Sequence, residues 1–162
     1  MAFKAVFDLT QKAQNEAKAE RQLDTPFDAP DENVDAAAIA DLPERLQAGV
    51  EALGWPALMP VQAEAIPYIL DNRDLIVQSR TGSGKTGAFL LPLLEKLDVR
   101  EKTTQALVLC PTRELASQIH AEFERMNAGL APEERLNAIP VYGGVGYGPQ
   151  VEAFEKGAQL VV

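Results

Sequence analysis

Ser79-Arg80-Thr81-Gly82-Ser83-Gly84-Lys85-Thr86 is the stretch on which the fold of this 162-residue chain turns. Ahead of it, Asp74-Leu75-Ile76-Val77-Gln78 is short, apolar and β-branched, which predicts a strand. Behind it, residues 85–97 read as a helix. A strand that passes through a glycine-rich turn directly into a helix builds a concave nest of backbone N–H groups. The glycines let consecutive N–H groups turn inward, and the helix adds its unpaired first N–H groups and its positive dipole end.

That nest suits a triphosphate, and the stretch matches the Walker A pattern in its structural context. One position departs. The pattern begins with glycine, and Ser79 stands there. Lys85 is placed to reach the outer phosphates as a mobile cation, and Thr86 to put its hydroxyl on Mg²⁺. Ser79, Arg80, Thr81, Gly82, Ser83 and Gly84 line the loop between them. Such a loop serves kinases, GTPases, ATPases and motors alike, so other residues must choose.

Outward from the loop, strand and helix patterns alternate. Gln105–Cys110 reads as a buried strand, apolar on both faces as parallel strands are. Residues 113–127 form a helix with Leu115, Ile119, Phe123 and Met126 on one face. Asn137–Tyr142 is a third strand, Pro149–Lys156 a helix, and Ala158–Val162 a fourth strand. The class is therefore α/β, a parallel sheet flanked by helices with right-handed crossovers. Upstream, Asp41 is placed to cap a helix carrying Leu42, Leu46, Val50 and Leu53, with Glu44 completing a capping box and Gly54 ending it. A shorter helix starts at Pro60 and is disturbed at Pro67. Residues 1–36 read as an extension, with a weak helix around Phe3, Val6, Phe7 and Leu9 and then an acidic linker. The domain proper is 37–162.

Composition narrows the classes further. The net charge is −9, with 15 Lys and Arg against 24 Asp and Glu. Binding to nucleic acid by bulk positive charge is excluded, though a local phosphate cradle is not. No apolar run is long enough to span a membrane. Cys110 is the single cysteine, which makes no disulfide framework or zinc site. It is expected as a buried small hydrophobe at a strand end, and His120 as a surface histidine without a partner. With no export signal, the expected location is the cytoplasm.

Four segments together resemble the DEAD-box family of ATP-dependent RNA helicases. They are Met59-Pro60-Val61-Gln62 followed by Ala65-Ile66-Pro67, the loop 79–86, Cys110-Pro111-Thr112-Arg113-Glu114-Leu115-Ala116, and Tyr142-Gly143-Gly144. Gln62 matches the glutamine of the Q motif. Residues 79–86 match motif I, where the family usually carries Ala at the Ser79 position. Pro111 to Ala116 match motif Ia, and Gly143-Gly144 match the paired glycines. Gly54-Trp55 resembles the Gly-aromatic pair before the Q motif, with Trp55 as packing. The resemblance covers roughly residues 37–162 and implies a RecA-like domain that uses ATP and Mg²⁺.

It also implies roles. The amide of Gln62 can donate and accept at once, which suits the N6/N7 edge of adenine and would select ATP over GTP. Pro111, Thr112, Arg113, Gly143 and Gly144 would touch the sugar-phosphate backbone of RNA, while Thr112 is equally placed to cap its helix. The family's adenine-stacking aromatic should fall near residues 37–40, where this chain has Ala37, Ala38, Ile39 and Ala40. Ile39 would be an apolar substitute, and Phe27 is the nearest aromatic upstream. Leu58-Met59 stands where Pro-Thr is common.

The sequence closes on Leu160-Val161-Val162 without Asp-Glu-Ala-Asp, Ser-Ala-Thr or a second RecA-like domain. The resemblance therefore implies the first part of a longer helicase, truncated on its C-terminal side, with no turnover of its own. The alternatives are a nucleotide- or RNA-binding module without catalysis, and a DNA translocase or small-molecule kinase using the same loop. Motif Ia argues against the kinase.

Overall fold

The computed structural model describes residues 5–7, 35–144 and 146–162. Their elements, in chain order, are β1 (Ala5–Phe7), α1 (Glu44–Ala52), α2 (Pro60–Leu70), α3 (Lys85–Lys96), β2 (Ala106–Val108), α4 (Arg113–Asn127), β3 (Ala138–Ile139), α5 (Tyr147–Glu155) and β4 (Leu160–Val161). Short 3₁₀ turns at Ile39–Asp41 and Pro132–Glu134 complete them.

The strands form one sheet in the order β1-β2-β4-β3. β2, β4 and β3 are parallel, with Ala106 and Ala138 both facing Leu160, and Leu107 and Ile139 both facing Val161. The chain therefore steps from β2 over one place to β3 and back inward to β4. Right-handed crossovers in opposite directions must use opposite faces of the sheet. The two clusters of apolar contacts obey this. Leu160 and Val162 pack with the α1–α4 layer, whereas Val161 joins Ile139, Ala158 and, from α5, Ala153.

The main core lies between the sheet and the layer α1–α4. Leu46, Ile66, Leu90, Leu94, Ile119, Phe123, Met126 and Leu160 are fully buried there. Small residues let the helices approach closely. A methyl on Gly129 would fall 2.5 Å from the carbonyl oxygen of Ala48, and one on Gly49 would fall 2.7 Å from Leu94 Cδ1. Among the described residues no helix is long and apolar enough to cross a membrane.

Five sequence expectations are corrected. Ala5–Phe7 is not helical but pairs antiparallel with β2, where Val and Phe suit a sheet edge; the rest of the weak helix and linker lies outside the described residues, as does Phe27. Residues 74–78 form no regular element, with Ile76 and Gln78 exposed and Leu75 and Val77 half-buried, and enter no ladder among the described residues. Strand identity is a property of pairing, which residue type alone does not supply. β2 is also shorter and less buried than expected, since Leu107 and Leu109 face outward and Leu109 is 64% exposed. Asp41 caps the 3₁₀ turn instead of α1, its carboxylate accepting from Ala38 N–H at 2.9 Å, and α1 begins after Pro43. Finally, α2 runs through Pro67 to Leu70.

The last correction has a physical cause with a use. Proline has no N–H, so the carbonyl four residues earlier loses its helical partner. That carbonyl belongs to Ala63, and Ala37 N–H donates to it at 2.9 Å. The segment before α1 is thereby tied to the side of α2. Substituting Pro67→Ala would give residue 67 an N–H that competes for the same oxygen. One such bond is worth about 1 kcal/mol net. We expect the Ala37 amide to exchange with deuterium roughly fivefold faster in Pro67→Ala while α2 stays helical. Unchanged protection at Ala37 would show that the carbonyl is shared without loss.

Candidate nucleotide and RNA-backbone site

The loop 79–86 joins the segment 74–78 to the start of α3. Gly82 and Gly84 have φ of +77° and +91°, conformations that side-chain-bearing residues avoid. Gly84 is the N-cap of α3 and provides no side-chain cap, so the first-turn N–H groups of α3 point into the loop without a side-chain acceptor. No atom lies within 4 Å of where a methyl on Gly82 would stand, so the bend encloses open space. Ser83 Oγ is buried and makes no hydrogen bond. A concave run of amides, an unsatisfied hydroxyl and a helix N-terminus together form a donor-rich cradle that fits an anionic oxygen cluster.

Lys85 supplies the cation. Its ammonium donates to the carbonyl oxygens of Ser79 at 2.6 Å and Arg80 at 2.7 Å, which stretches the side chain back across the loop. Thr86 follows on the first turn of α3, half-buried. Among the described residues no three His, Cys, Asp or Glu side chains converge on a metal site. A magnesium ion here would be held by the Thr86 hydroxyl and by phosphate oxygens.

Gln62 sits beside the loop as the sequence pattern predicts, but in an unexpected setting. It is 1% exposed. Its Oε1 accepts from Met59 N–H at 2.8 Å, and its Nε2 donates to the carbonyl of Gly84 at 3.1 Å. One amide thus closes the N-terminus of α2 and binds α2 to the phosphate loop. Each end of the amide has the capacity for one hydrogen bond beyond these. Two glycines make room for it. A methyl on Gly84 would fall 2.7 Å from both Gln62 Nε2 and Met59 Sδ. On Gly87 it would fall 2.3 Å from Trp55 Cη2 and 2.7 Å from Gln62 Nε2. Trp55 is therefore packing, as its position suggested.

Residues from two other loops meet at the carboxyl ends of the parallel strands, the edge at which open α/β sheets bind ligands. Cys110-Pro111-Thr112 leaves β2, and Tyr142-Gly143-Gly144 follows β3. A methyl on Gly144 would come within 3.5 Å of Arg113 Nη1, so the two motifs are neighbours in space. Thr112 does cap α4, its hydroxyl accepting from Leu115 N–H at 3.2 Å. This leaves Arg113 as the exposed cation of the cluster, paired with Glu114 at 2.8 Å. The hydrogen bond from Arg113 holds the Glu114 carboxyl below its usual range. Tyr142 is held by a hydroxyl contact with Ser117 at 3.2 Å.

Two background residues differ from expectation. His120 is not free on the surface. Its Nε2 lies 3.2 Å from the carbonyl of Ala138 and 3.8 Å from Glu124, because α4 packs along the β3 edge. Cys110 is only half-buried, and burial still pushes its thiol pKa up, as for an inert cysteine. A cavity of about 270 Å³, lined by Asp35, Asp41, Ile66, Pro67 and Leu70 among others, sits farther along α2 and contains none of the loop residues. The site residue that pattern reading passed over is Met59, 41% exposed with its sulfur against Gly84. Its signals in the sequence are an apolar residue at a helix N-cap, where Ser, Thr, Asp or Asn is usual, and the departure of Leu58-Met59 from the common Pro-Thr.

These features define an α/β domain of the RecA-like type, with a glycine-rich, donor-lined loop at the start of α3 and a second polar cluster at the carboxyl edge of the sheet. Comparison with known proteins then places the chain. The model of the DEAD/DEAH box helicase family matches residues 59–162, and the chain belongs to that family. The DEAD-box ATP-dependent RNA helicase CshA of Bacillus cereus is 39% identical over 121 residues, which is 75% of this chain and 22% of that protein. A DEAD box protein from Methanococcus jannaschii superposes with a TM-score of 0.68 at 30% identity, covering 80% of this chain and 35% of that one. The RNA helicase Prp28 from Chaetomium thermophilum, solved with ADP, gives a TM-score of 0.64 at 39% identity, covering 75% and 30%. The chain thus spans about a fifth of the length of the CshA relative it matches.

The packing of the loop has a direct test. Gly87→Ala forces Trp55 and Gln62 away from α3, and overpacking of this kind costs about 1–3 kcal/mol. Urea denaturation followed through Trp55, the single tryptophan, should show the midpoint falling accordingly. A midpoint equal to that of the parent chain would mean that Trp55 yields freely.

Proposed function

We propose that this chain is the ATP-binding part of an ATP-dependent RNA helicase. The observation that carries the reading is the junction of Gln62 with Gly84, which ties the base-reading residue to the phosphate loop. Lys85 binds the outer phosphates, giving up its loop carbonyls for phosphate oxygens. The backbone of residues 79–84 encloses the polyphosphate, and Thr86 holds the magnesium ion. Gln62 reads the N6/N7 edge of adenine with the donor and acceptor positions its amide has left. Pro111, Thr112, Arg113, Gly143 and Gly144 form the RNA-backbone surface. Arg113 provides the positive charge there, and the bare glycines let a phosphate or sugar approach the main chain. The ADP bound in the Prp28 relative and the RNA helicase name of CshA support this assignment.

In this family's chemistry, hydrolysis of the triphosphate drives release of strained RNA. The 162 residues hold the binding half of that chemistry. They contain no Asp-Glu-Ala-Asp to position magnesium and the attacking water. The chain is expected to bind ATP without RNA-stimulated turnover.

Calorimetric titration tests the nucleotide assignment. ATP should bind about tenfold more tightly than GTP, since a bidentate amide contact discriminates by roughly 1–3 kcal/mol. Lys85→Ala should abolish binding of both. Equal affinity for ATP and GTP would remove the role given to Gln62, and unaltered binding by Lys85→Ala would remove the phosphate-loop assignment.

The RNA surface is tested through salt. If Arg113 contacts a phosphate, Arg113→Ala should weaken single-stranded RNA by a similar factor for every sequence. It should also flatten the dependence of log K on log salt by about 0.7. A change confined to one RNA sequence would point to base contact instead.

A further inference from the structure

We propose that Tyr147 is a stacking platform for an unpaired nucleobase, adding a base contact to the sugar-phosphate surface at Arg113, Gly143 and Gly144. The proposal rests on the assignment of that surface to RNA.

Tyr147 opens α5 and is 83% exposed, against 45% for Phe154 farther along the same helix. A ring so placed leaves its apolar face in water, and a base can cover it. Tyr147 stands three residues after Gly144. That length of chain spans at most about 11 Å, so the ring is within reach of the next nucleotides of a strand whose phosphate meets Arg113. The surface there is open. Outside the local backbone and the adjacent residues, no described atom lies within 4 Å of where a methyl on Gly143 or on Gly148 would stand.

The start of α5 is held against this surface. Gln150 is buried, and its Nε2 lies 3.5 Å from the carbonyl oxygen of Tyr142 and 3.4 Å from that of Gly146. The Tyr142 hydroxyl meets Ser117 of α4. One loop residue is thereby tied both to the helix that carries Arg113 and to the helix that carries Tyr147. Cation and ring are set relative to the same turn before a ligand arrives, which lowers the ordering cost of binding.

Charge shows why a stacking contact matters here. The chain carries a net charge of −9, and Arg113 shares its own charge with Glu114 at 2.8 Å. Counterion release at one such arginine yields little affinity. Stacking adds affinity without net charge and tolerates any base, because every base has a π-face. Val151 and Phe154 continue an exposed apolar line along α5, which a protein partner would cover. Tyr147 differs from them in lying at the end of that line next to the cation and the bare glycines.

The test titrates the 162-residue chain with single-stranded oligo(A), oligo(U) and an abasic oligoribonucleotide of equal length, which keeps the phosphates and lacks the bases. Tyr147→Ala should weaken oligo(A) about five- to tenfold, oligo(U) less, and the abasic strand not at all. The slope of log K against log salt should stay as in the parent, in contrast to Arg113→Ala. Tyr147→Phe should bind as the parent does. With ¹³C on the tyrosine rings, the signal lost in Tyr147→Phe should move upfield on binding oligo(A) and stay in place with the abasic strand. Equal weakening of all three strands by Tyr147→Ala overturns the proposal, since Tyr147 would then only support the start of α5. Unchanged affinity for oligo(A) in Tyr147→Ala also overturns it, and loss of self-association in that variant on sedimentation would assign the ring to a protein contact. If Arg113→Ala binds RNA as the parent does, or if no strand binds the parent, the RNA-surface reading itself fails, and this inference falls with it.

Discussion

The two-ended amide of Gln62 is the constraint on which the site depends. A buried polar group must find partners, and this one finds both in main-chain atoms at the ends of different elements. Met59 N–H, at the N-cap of α2, donates to Gln62 Oε1, and the Gly84 carbonyl, where the loop turns into α3, accepts from Gln62 Nε2 as well as from Ala88 N–H. Joining them ties the start of α2 to the start of α3 beside the glycine-rich loop. The glycines at 84 and 87 follow from this, because any side chain there would occupy the space that Gln62 and Trp55 need. Arg45 and Lys96 tie other helix ends down in the same manner, with side-chain nitrogens donating to the carbonyls of Leu97 and Leu70.

The sheet topology adds the second half of the site. Because β4 inserts between β2 and β3, the loops leaving β2 and β3 are separated by one strand and open on the same edge. An arginine at the start of α4 and a glycine after β3 can then approach each other, although they are 31 residues apart in sequence. Thr112 serves this arrangement by capping α4, which settles the helix start and presents Arg113 outward.

The α/β class, the helices at 85–97 and 113–127, and the glycine-rich turn between 79 and 86 were all legible in the amino-acid sequence, because each is specified locally by periodicity or by glycine placement. The buried face of α4 is a clear case, with Ile119, Phe123 and Met126 at helical spacing and all fully buried. What was not legible depended on partners distant in sequence. Residues 74–78 have strand composition but no ladder neighbour among the described residues, and Ala5–Phe7 has a neighbour that no local pattern announces. Asp41 could cap either of two successive turns, and the choice fell to the nearer N–H of Ala38. At the site, residue types were readable but their commitments were not. Gln62 was a polar candidate whose burial and second partner appear only in three dimensions, and Met59 stood out as a departure from Pro-Thr and as an unusual helix cap, neither of which shows what its side chain touches.

Pro67 shows a wider use of an imino acid in a helix. Its effect on α2 is small, since the helix continues to Leu70. Its effect on the neighbouring chain is larger, because it converts a carbonyl that a helix would keep for itself into a docking point for Ala37. The attachment needs no side chain on the incoming segment, so Ala37, Ala38 and Ala40 can remain small and vary in identity without loss of the anchor. A proline in the middle of an amphipathic helix can therefore be read as an address for a passing strand of backbone, written four residues upstream of the proline itself.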